Sequence, residues 1–563
     1  MDIEISSNVK KLEKYRLFFR SHVRPYWAYI GLLLLLSIVG ILFGVISPLF
    51  MKDLIDDVIT QRKTESFTYL IGLLFLICIS SSIARYFSVS LTGKISAKVT
   101  NSIRKGIFIS LQCKKLNEIY KVKSGDVLSR FMNDIYVCQN LFTSYIVQLF
   151  SCVFGIIFPL TIMLMLKWDL TVICIAPIVI YVPLSFYFGQ FLKMGQKKIL
   201  EINGKISTFL RESLSMIPLI KSFGLEKYQQ VRFEENLDTY YNSILSVSHV
   251  SALYLSITNA LIFFPLLMLF IVGGKMAINE IISIGTLFAF SAYLMQFYSP
   301  VNSLANLWSN IKMSSAAFDR LHEIVELEAE SDGKMDLKSE NKEIVFENVS
   351  FSYGKNKIFE RLNITFKKGM NFVIGANGSG KTTIFHLLIK LYTVEAGAIK
   401  IDSQDISEVS LPSLRRNIAL LSQNIQLIDS SIYENILLGN LSASEDAVVN
   451  AAKKAKIHDF IVRLPNGYNS LVGEDGLALS GGERQKISLA RAILKDSPII
   501  LLDEVTSPID KESRDCIYNV LRELSSGKII IIATHDCSEI REGDWIVDLN
   551  KVNVGNRILA PLL

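Results

Sequence analysis

The sequence predicts a multidomain chain: an all-α six-helix transmembrane domain followed by an α/β domain built around a glycine-rich loop. Three observations carry this. Half of the 563 residues are apolar and 20% are charged, with a mean hydropathy of +0.35, whereas soluble domains carry about a quarter charged residues. Six long runs before residue 311 contain no Asp, Glu, Lys or Arg. Beyond residue 343, short β-branched runs alternate with helical patterns, which indicates strands alternating with helices. A chain of this length exceeds what one core supports. The net charge of +6 is small for that length and does not argue for nucleic acid, and no nucleic-acid partner is expected. The seven cysteines form no CxxC pair and read as inert thiols, neither a zinc site nor a disulfide framework.

The six charge-free runs are 25–51, 66–84, 135–166, 170–192, 250–274 and 281–310. Each reaches roughly the 17–20 residues that cross a bilayer core, longer than the buried helices of a soluble bundle require. The first follows Lys10, Lys11, Lys14, Arg16, Arg20 and Arg24, is too long for a signal-peptide core, and has no small-residue cleavage site after it. Orientation follows from Lys and Arg. The N-terminal segment and the loops 85–134 and 193–249 hold 24 of them, and the three opposite loops hold Lys52, Arg62, Lys63, Lys167 and Lys275. The N-terminus, both long loops and the C-terminal domain are therefore expected in the cytosol. Each long loop is amphipathic and nearly free of Pro and Gly, so each is expected to be a helical hairpin, with tips at 116–123 and 215–223. The membrane domain is expected to span 1–327. A charged, Gly- and Ser-containing linker follows at 328–342, and the α/β domain occupies 343–563.

The sharpest motif is Gly375-Ala-Asn377-Gly378-Ser379-Gly380-Lys381-Thr382-Thr383, placed after the strand ending at Ile374 and before a helix starting near Thr383. It matches the P-loop spacing G-x-x-x-x-G-K-[ST]. Glycines let the backbone wrap closely enough for its N–H groups to face phosphate, and the helix N-terminus adds positive charge. Lys381 is expected on the β- and γ-phosphates and the Thr382 hydroxyl on Mg²⁺. The second protein anchor of that metal should end a buried strand, as Asp503 does after Ile499-Ile-Leu-Leu502. Glu504 follows, where a second carboxylate polarises water against the γ-phosphate. Ser480-Gly481-Gly482-Glu483 precedes a helix expected near Lys486 and reads as a second anion cradle. One nucleotide does not need two cradles from one face, so this one is expected to close over ATP held by another chain.

Residues 343–545 resemble the ATP-binding cassette (ABC) domain, and the whole chain resembles an ABC exporter half-transporter. The fold class implied is a six-helix transmembrane domain plus an α/β P-loop ATP-binding cassette domain, with ATP and Mg²⁺ as cofactors. The resemblance implies further roles. Tyr353 stacks on adenine. Gln423 reports nucleotide to the membrane domain through Mg²⁺ and water. Ser480 and Gly482 contact the γ-phosphate across a dimer. Glu504 is the catalytic base, and His535 steadies the γ-phosphate and the attacking water. The segment Gly473–Gly476 resembles the part of exporter cassettes that touches the coupling loops. Two departures stand out. Ser507-Pro508-Ile509-Asp510 replaces the usual Ser-Ala-Leu-Asp, and proline fixes φ and removes a donor. The usual closing turn and helix are replaced by 550–563.

With every catalytic position filled, a homodimer with two competent sites is expected in a bacterial cytoplasmic membrane, alternating access and exporting its cargo. The spans carry no Asp, Glu, Lys or Arg, so the cargo is expected to be amphipathic or neutral: a peptide, a drug or a lipid. The aromatics Phe288, Phe290, Tyr293, Phe297 and Tyr298, with Gln296, are packing residues or a wall for such a ligand. Some 25 residues precede the first span, so an N-terminal peptidase is not expected. The competing readings are an ATP-gated channel or sensor, and one half of a heterodimeric exporter.

Overall fold

The computed structural model describes residues 18, 20–62, 64–122, 124–338, 343–473, 476, 479–504 and 511–552. The basic residues Lys10 to Arg16, the linker end 339–342, Glu474 and Asp475, Ser507-Pro508-Ile509-Asp510 and the tail beyond 552 lie outside them. The chain divides into two compact units. One joins Met1–Gln112 to Lys123–Glu326, and the other joins Cys113–Val122 to Leu327–Leu563.

The first unit is built from Trp27–Asp53, Phe67–Gln112, Ser144–Leu166, Ile178–Ser215, Glu226–Met268 and Ile284–Glu326, with shorter helical pieces between them. At 1.5 Å per residue, the 46 residues of Phe67–Gln112 run roughly 70 Å, more than twice a ~30 Å bilayer core. The helices therefore continue from the apolar runs through the charged loops as the arms of hairpins. Leu116–Lys121 and Ile217–Phe223 are the short helices at the two tips, the second closed by Gly224 at φ +63°.

Among the described residues, five helical runs are long and apolar enough to cross a membrane: Arg24–Thr60, Phe67–Gln112, Gly125–Leu166, Trp168–Ser215 and Glu226–Ile278. The helix over the expected sixth span, Ile284–Glu326, is not in that set. Its polar side chains are satisfied by neighbouring helices instead. Gln296 Nε2 donates to Gly44 O at 3.0 Å, Tyr293 OH to Val45 O at 2.6 Å, and Tyr298 OH to Cys174 O at 3.2 Å. Tyr181 OH donates to Asn302 at 2.8 Å. Phe290, Tyr293, Phe297 and Tyr298 are buried in one cluster with Met163 and Leu170, so they are packing residues; Phe288 is exposed. This helix also passes close to Ser144–Leu166, where a Cβ on Gly155 would stand 2.9 Å from the Pro300 ring.

Among its described residues the second unit carries nine strands: β1 Glu343–Tyr353, β2 Asn356–Lys367, β3 Gly369–Ile374, β4 Ala396–Ile401, β5 Gln404–Asp405, β6 Ile418–Leu421, β7 Ile499–Asp503, β8 Ile529–Ala533 and β9 Trp545–Asp548. They form an antiparallel sheet ordered β2-β1-β4-β5 and a parallel sheet ordered β6-β7-β8-β3-β9. Side chains alternate across a strand, and here the alternation sorts them into two cores. Val373, Leu501, Ile529 and Ile531 pack with Phe346, Phe359 and Ile399 of the antiparallel sheet. Phe372, Ile500, Leu502, Ile530 and Ile532 pack with Ile487, Ile517 and Leu521 of the helices. The parallel sheet is thus covered on both faces, which is why its strands read as unbroken apolar runs.

Candidate active site

Ligands of an open parallel sheet bind beyond the carboxyl ends of its strands, and the sequence-predicted residues gather there. β3 runs into the glycine loop, which opens the helix Lys381–Leu388. β7 ends at Asp503, β8 leads into Thr534 and His535, and β6 leads into Gln423. Gly378 and Gly380 hold φ values of +81° and +101°, which only glycine adopts without strain. A Cβ on Gly380 would also lie 2.6 Å from the Phe359 ring.

Tyr353, Ile358, the loop residues Asn377, Gly378, Gly380, Lys381, Thr382 and Thr383, together with Gln423 and Glu504, line one open cleft of ≈ 430 Å³. Glu504 is its charged centre. Lys381 Nζ lies 3.3 Å from Glu504 Oε1 and donates to Gly375 O at 2.9 Å. Gln423 Nε2 donates to Glu504 Oε2 at 3.1 Å. His535 Nδ1 stands 4.0 Å from Glu504 Oε1 and is half exposed. The Glu504 backbone is left-handed at φ +48°, a strained position for a side-chain residue. It is held there by its N–H, which donates to Ala533 O at 3.0 Å. The His535 loop is tied down as well: Thr534 N–H donates to Val373 O, and Asp536 N–H donates to Thr534 Oγ1 at 3.0 Å. Backbone donation from Ser538 leads the causes that hold the Asp536 carboxyl below the usual range, with Arg514 adding to it.

Two buried polar atoms at this site have no protein partner: Asp503 Oδ1 and Ser379 Oγ. Asp503 is 5% exposed. Burial pushes its carboxyl above the usual range, the Thr382 hydroxyl pulls it back, and the neighbouring Glu504 raises it further. A buried carboxylate oxygen without a donor, beside a threonine hydroxyl, suits a hard cation with oxygen ligands. Ser379 Oγ beside the loop backbone suits a phosphate oxygen.

Tyr353 stands edge-on to Phe351 and Tyr392, with ring centroids 4.8 and 5.0 Å away. Its hydroxyl lies 3.4 Å from His386 Nδ1. His386 was not predicted. It lies one turn beyond Thr383 on the same helix, a spacing that puts both on one face, and burial pushes its imidazole down. Asn550 was not predicted either, and no local pattern marks it. Its Oδ1 accepts from Ala376 N–H at 3.1 Å and steadies the start of the glycine loop.

The second cradle differs from expectation in one respect. Its helix is Gly481–Lys495, so Gly481 and Gly482 form the first turn and not a loop before Lys486. The reason is a reciprocal cap. Ser480 Oγ accepts from Glu483 N–H at 3.4 Å, while Glu483 Oε2 accepts from Ser480 N–H at 2.8 Å. Glu483 is occupied in holding the turn. A Cβ on Gly481 would meet nothing within 4 Å among the described residues, so no described neighbour requires that glycine. Neither Ser480 nor Gly481, Gly482 or Glu483 lines the cleft around Glu504.

The profile of the family described as "ABC transporter transmembrane region" matches residues 30–301, and that of the family described as "ABC transporter" matches 359–507. The chain is 31% identical over 510 residues to an "ATP-dependent lipid A-core flippase" of Syntrophus aciditrophicus (strain SB), covering 89% of this chain and 84% of that protein. It is 28% identical over 542 residues to the "Putative multidrug export ATP-binding/permease protein YgaD" of Bacillus subtilis (strain 168), covering 94% and 93%. The fold is also that of a solved bacterial Atm1-family ABC exporter with ATP bound. The TM-score is 0.79 at 22% identity, over 93% of this chain and 94% of that one.

Proposed function

The chain belongs to the ABC transporter family as an exporter-type half-transporter, an ATP hydrolase coupled to transport, and on that premise we propose that two copies of it export an amphipathic cargo across the cytoplasmic membrane by alternating access. The observation that carries the pairing is the separation of the two cradles. Glu504, Lys381 and Gln423 share one cleft, while the Ser480 turn has no place in it. A second copy supplies that turn to the first copy's nucleotide, and the reverse.

Each residue then has a task. The loop N–H groups and Lys381 bind the β- and γ-phosphates. Tyr353 stacks on the base. Glu504 Oε2 or Oε1 takes the proton of the attacking water, which adds to the γ-phosphorus as the bond to ADP breaks. Gln423 and His535 keep that carboxylate and the water in line. Thr382 and Asp503, with Gln423 beside them, would hold Mg²⁺, which would supply neutralisation of the charge that grows on the phosphates. The relatives whose printed names are lipid A-core flippase and multidrug export protein favour an amphipathic cargo, as do apolar runs without Asp, Glu, Lys or Arg. The excess of Lys and Arg in the long loops favours a cytosolic cassette and N-terminus.

The test is ATPase activity of the full chain in liposomes, with candidate amphipathic peptides, drugs and lipids added in turn. Stimulation by a cargo, its uptake into inside-out vesicles, and loss of both in Glu504→Gln are expected. ATP-dependent current that survives Glu504→Gln would overturn transport in favour of a gated pore.

A further inference from the structure

The segment that follows the membrane helices is tied at both ends and is not a free tether. Around Lys114 and Ala329 the first hairpin tip and the linker form an antiparallel bridge. Glu330 N–H donates to Cys113 O at 2.8 Å, and Lys115 N–H donates to Glu328 O at 3.0 Å. Lys115 Nζ pairs with Glu328 at 2.7 Å. A few residues on, Lys334 N–H donates to Glu408 O at 3.0 Å, and Ser410 N–H donates to Met335 O at 2.8 Å. Asp332 Oδ1 accepts from Leu411 N–H at 2.8 Å, at the start of the helix Leu411–Asn417. That contact is close enough that a Cβ on Gly333 would stand 2.2 Å from Glu408 O.

The side chain of Glu330 joins this strap to the nucleotide cleft. It is gripped by both terminal nitrogens of Arg415, at 2.9 and 2.7 Å, the fork geometry that fixes direction as well as distance. Arg415 Nε also donates to Ile389 O at 3.3 Å and Nη2 reaches Lys390 O at 3.5 Å. These are the carbonyls at the C-terminal end of Lys381–Leu388, the helix whose first turn cradles phosphate, and a cation there is favoured by the helix dipole. Between the tip and the adenine-side ring lies a cavity of ≈ 170 Å³ lined by Lys115, Asn117, Tyr353 and Tyr392.

We infer that Glu330 and Arg415 are a positioning pair that relays phosphate occupancy from the P-loop helix to the first hairpin tip through the linker. The inference rests on the reading of the cleft as an ATP site. A short helix moves as a rigid body, so a shift at Lys381 appears at Ile389 and is handed through the guanidinium to the strap.

The reporter is native Cys113, an exposed thiol at the tip. Its alkylation rate in the full chain is followed by peptide mass spectrometry, with and without a non-hydrolysable ATP analogue and Mg²⁺. Binding of the analogue is measured separately by fluorescence. In the unsubstituted chain the analogue changes the Cys113 rate about five-fold or more, the lower end of ordinary coupling between sites. Glu330→Gln keeps the shape and removes the charge; Arg415→Lys keeps the charge and removes the fork. Both are expected to bind the analogue within about two-fold of the unsubstituted chain and to lose the Cys113 response. A simple loss of the cassette's fold would instead speed alkylation of the half-buried Cys516 whether or not the analogue is present. A full response in either variant overturns the relay, and so does an unresponsive Cys113 in an unsubstituted chain that binds the analogue. Failure of that chain to bind the analogue overturns the ATP reading instead.

Discussion

Replacing Asp503 by Asn should stabilise the protein and disable it at once. Its carboxylate is almost fully buried, with Oδ1 lacking any donor. Burial raises its pKa, so the folded state disfavours the charged form at neutral pH. The neutral amide removes that cost, worth about 1 kcal/mol or more for a buried charge without full compensation. For a domain of the cassette's size this raises the melting temperature by about 2–4 °C. The sign has a pH signature. A raised carboxyl pKa penalises folding above the folded value and has no effect below the unfolded one, near 3.9. The advantage of Asp503→Asn should therefore be greater at neutral pH and shrink as the pH falls towards the ordinary aspartate range. Mg²⁺ and ATP should reverse the order. At a hundred times Kd a ligand adds about 2.7 kcal/mol to the unsubstituted chain, or about 5–10 °C, and the variant should gain little of it. Differential scanning fluorimetry of the intact chain in detergent, with and without Mg²⁺ and ATP and across pH, reads all of this. A variant that melts lower than the unsubstituted chain when neither ligand is added would refute the reasoning, because the carboxylate would then be satisfied by the fold.

Three further outcomes are expected. Gly380→Ala places a methyl 2.6 Å from the Phe359 ring at φ +101°; about 1–3 kcal/mol of strain falls on the phosphate loop, and filter binding of labelled ATP should show about ten-fold or greater loss. Ser480→Asn keeps a competent helix cap, so the melting temperature should hold within about a degree, while the added bulk blocks a partner's phosphate and steady-state ATPase falls to background. An undiminished rate in that variant would remove the case for two copies sharing a nucleotide. Glu504→Gln should lower hydrolysis by roughly 10²–10⁴-fold with ATP binding intact by equilibrium dialysis.

Much of this was legible in the residues themselves, and the exceptions have physical causes. β7 and β8 read directly because a strand buried on both faces leaves an unbroken apolar run, as in Ile499–Leu502. β2 did not, because Glu360, Arg361 and Lys367 punctuate an edge strand with one wet face. The glycine loop and the Asp503–Glu504 pair are local chemistry and were visible. Gln423 and His535 came only by resemblance, since the neighbourhood of β6, β7 and β8 is a matter of sheet order. Two glycines after Ser480 suggested a loop, yet the Ser-x-x-Glu cap starts the helix there. The charge-free runs marked the membrane segments and not the helix ends, because outside the bilayer a charged residue does not stop a helix, as Phe67–Gln112 shows. That 113–122 clusters with the cassette rests on backbone bonds to residues more than 200 positions away and leaves no local trace.

The pairing of Lys381 with Glu504 bears on when the enzyme is allowed to work. On the function proposed above, the ammonium that meets phosphate and the carboxylate that takes a proton from water neutralise one another, so neither is at liberty while they touch. On that reading, an incoming γ-phosphate competes for the lysine and, in drawing it away, frees the base that takes the proton of the attacking water. The substrate thereby arms the group that destroys it, a safeguard against idle turnover written into one ion pair.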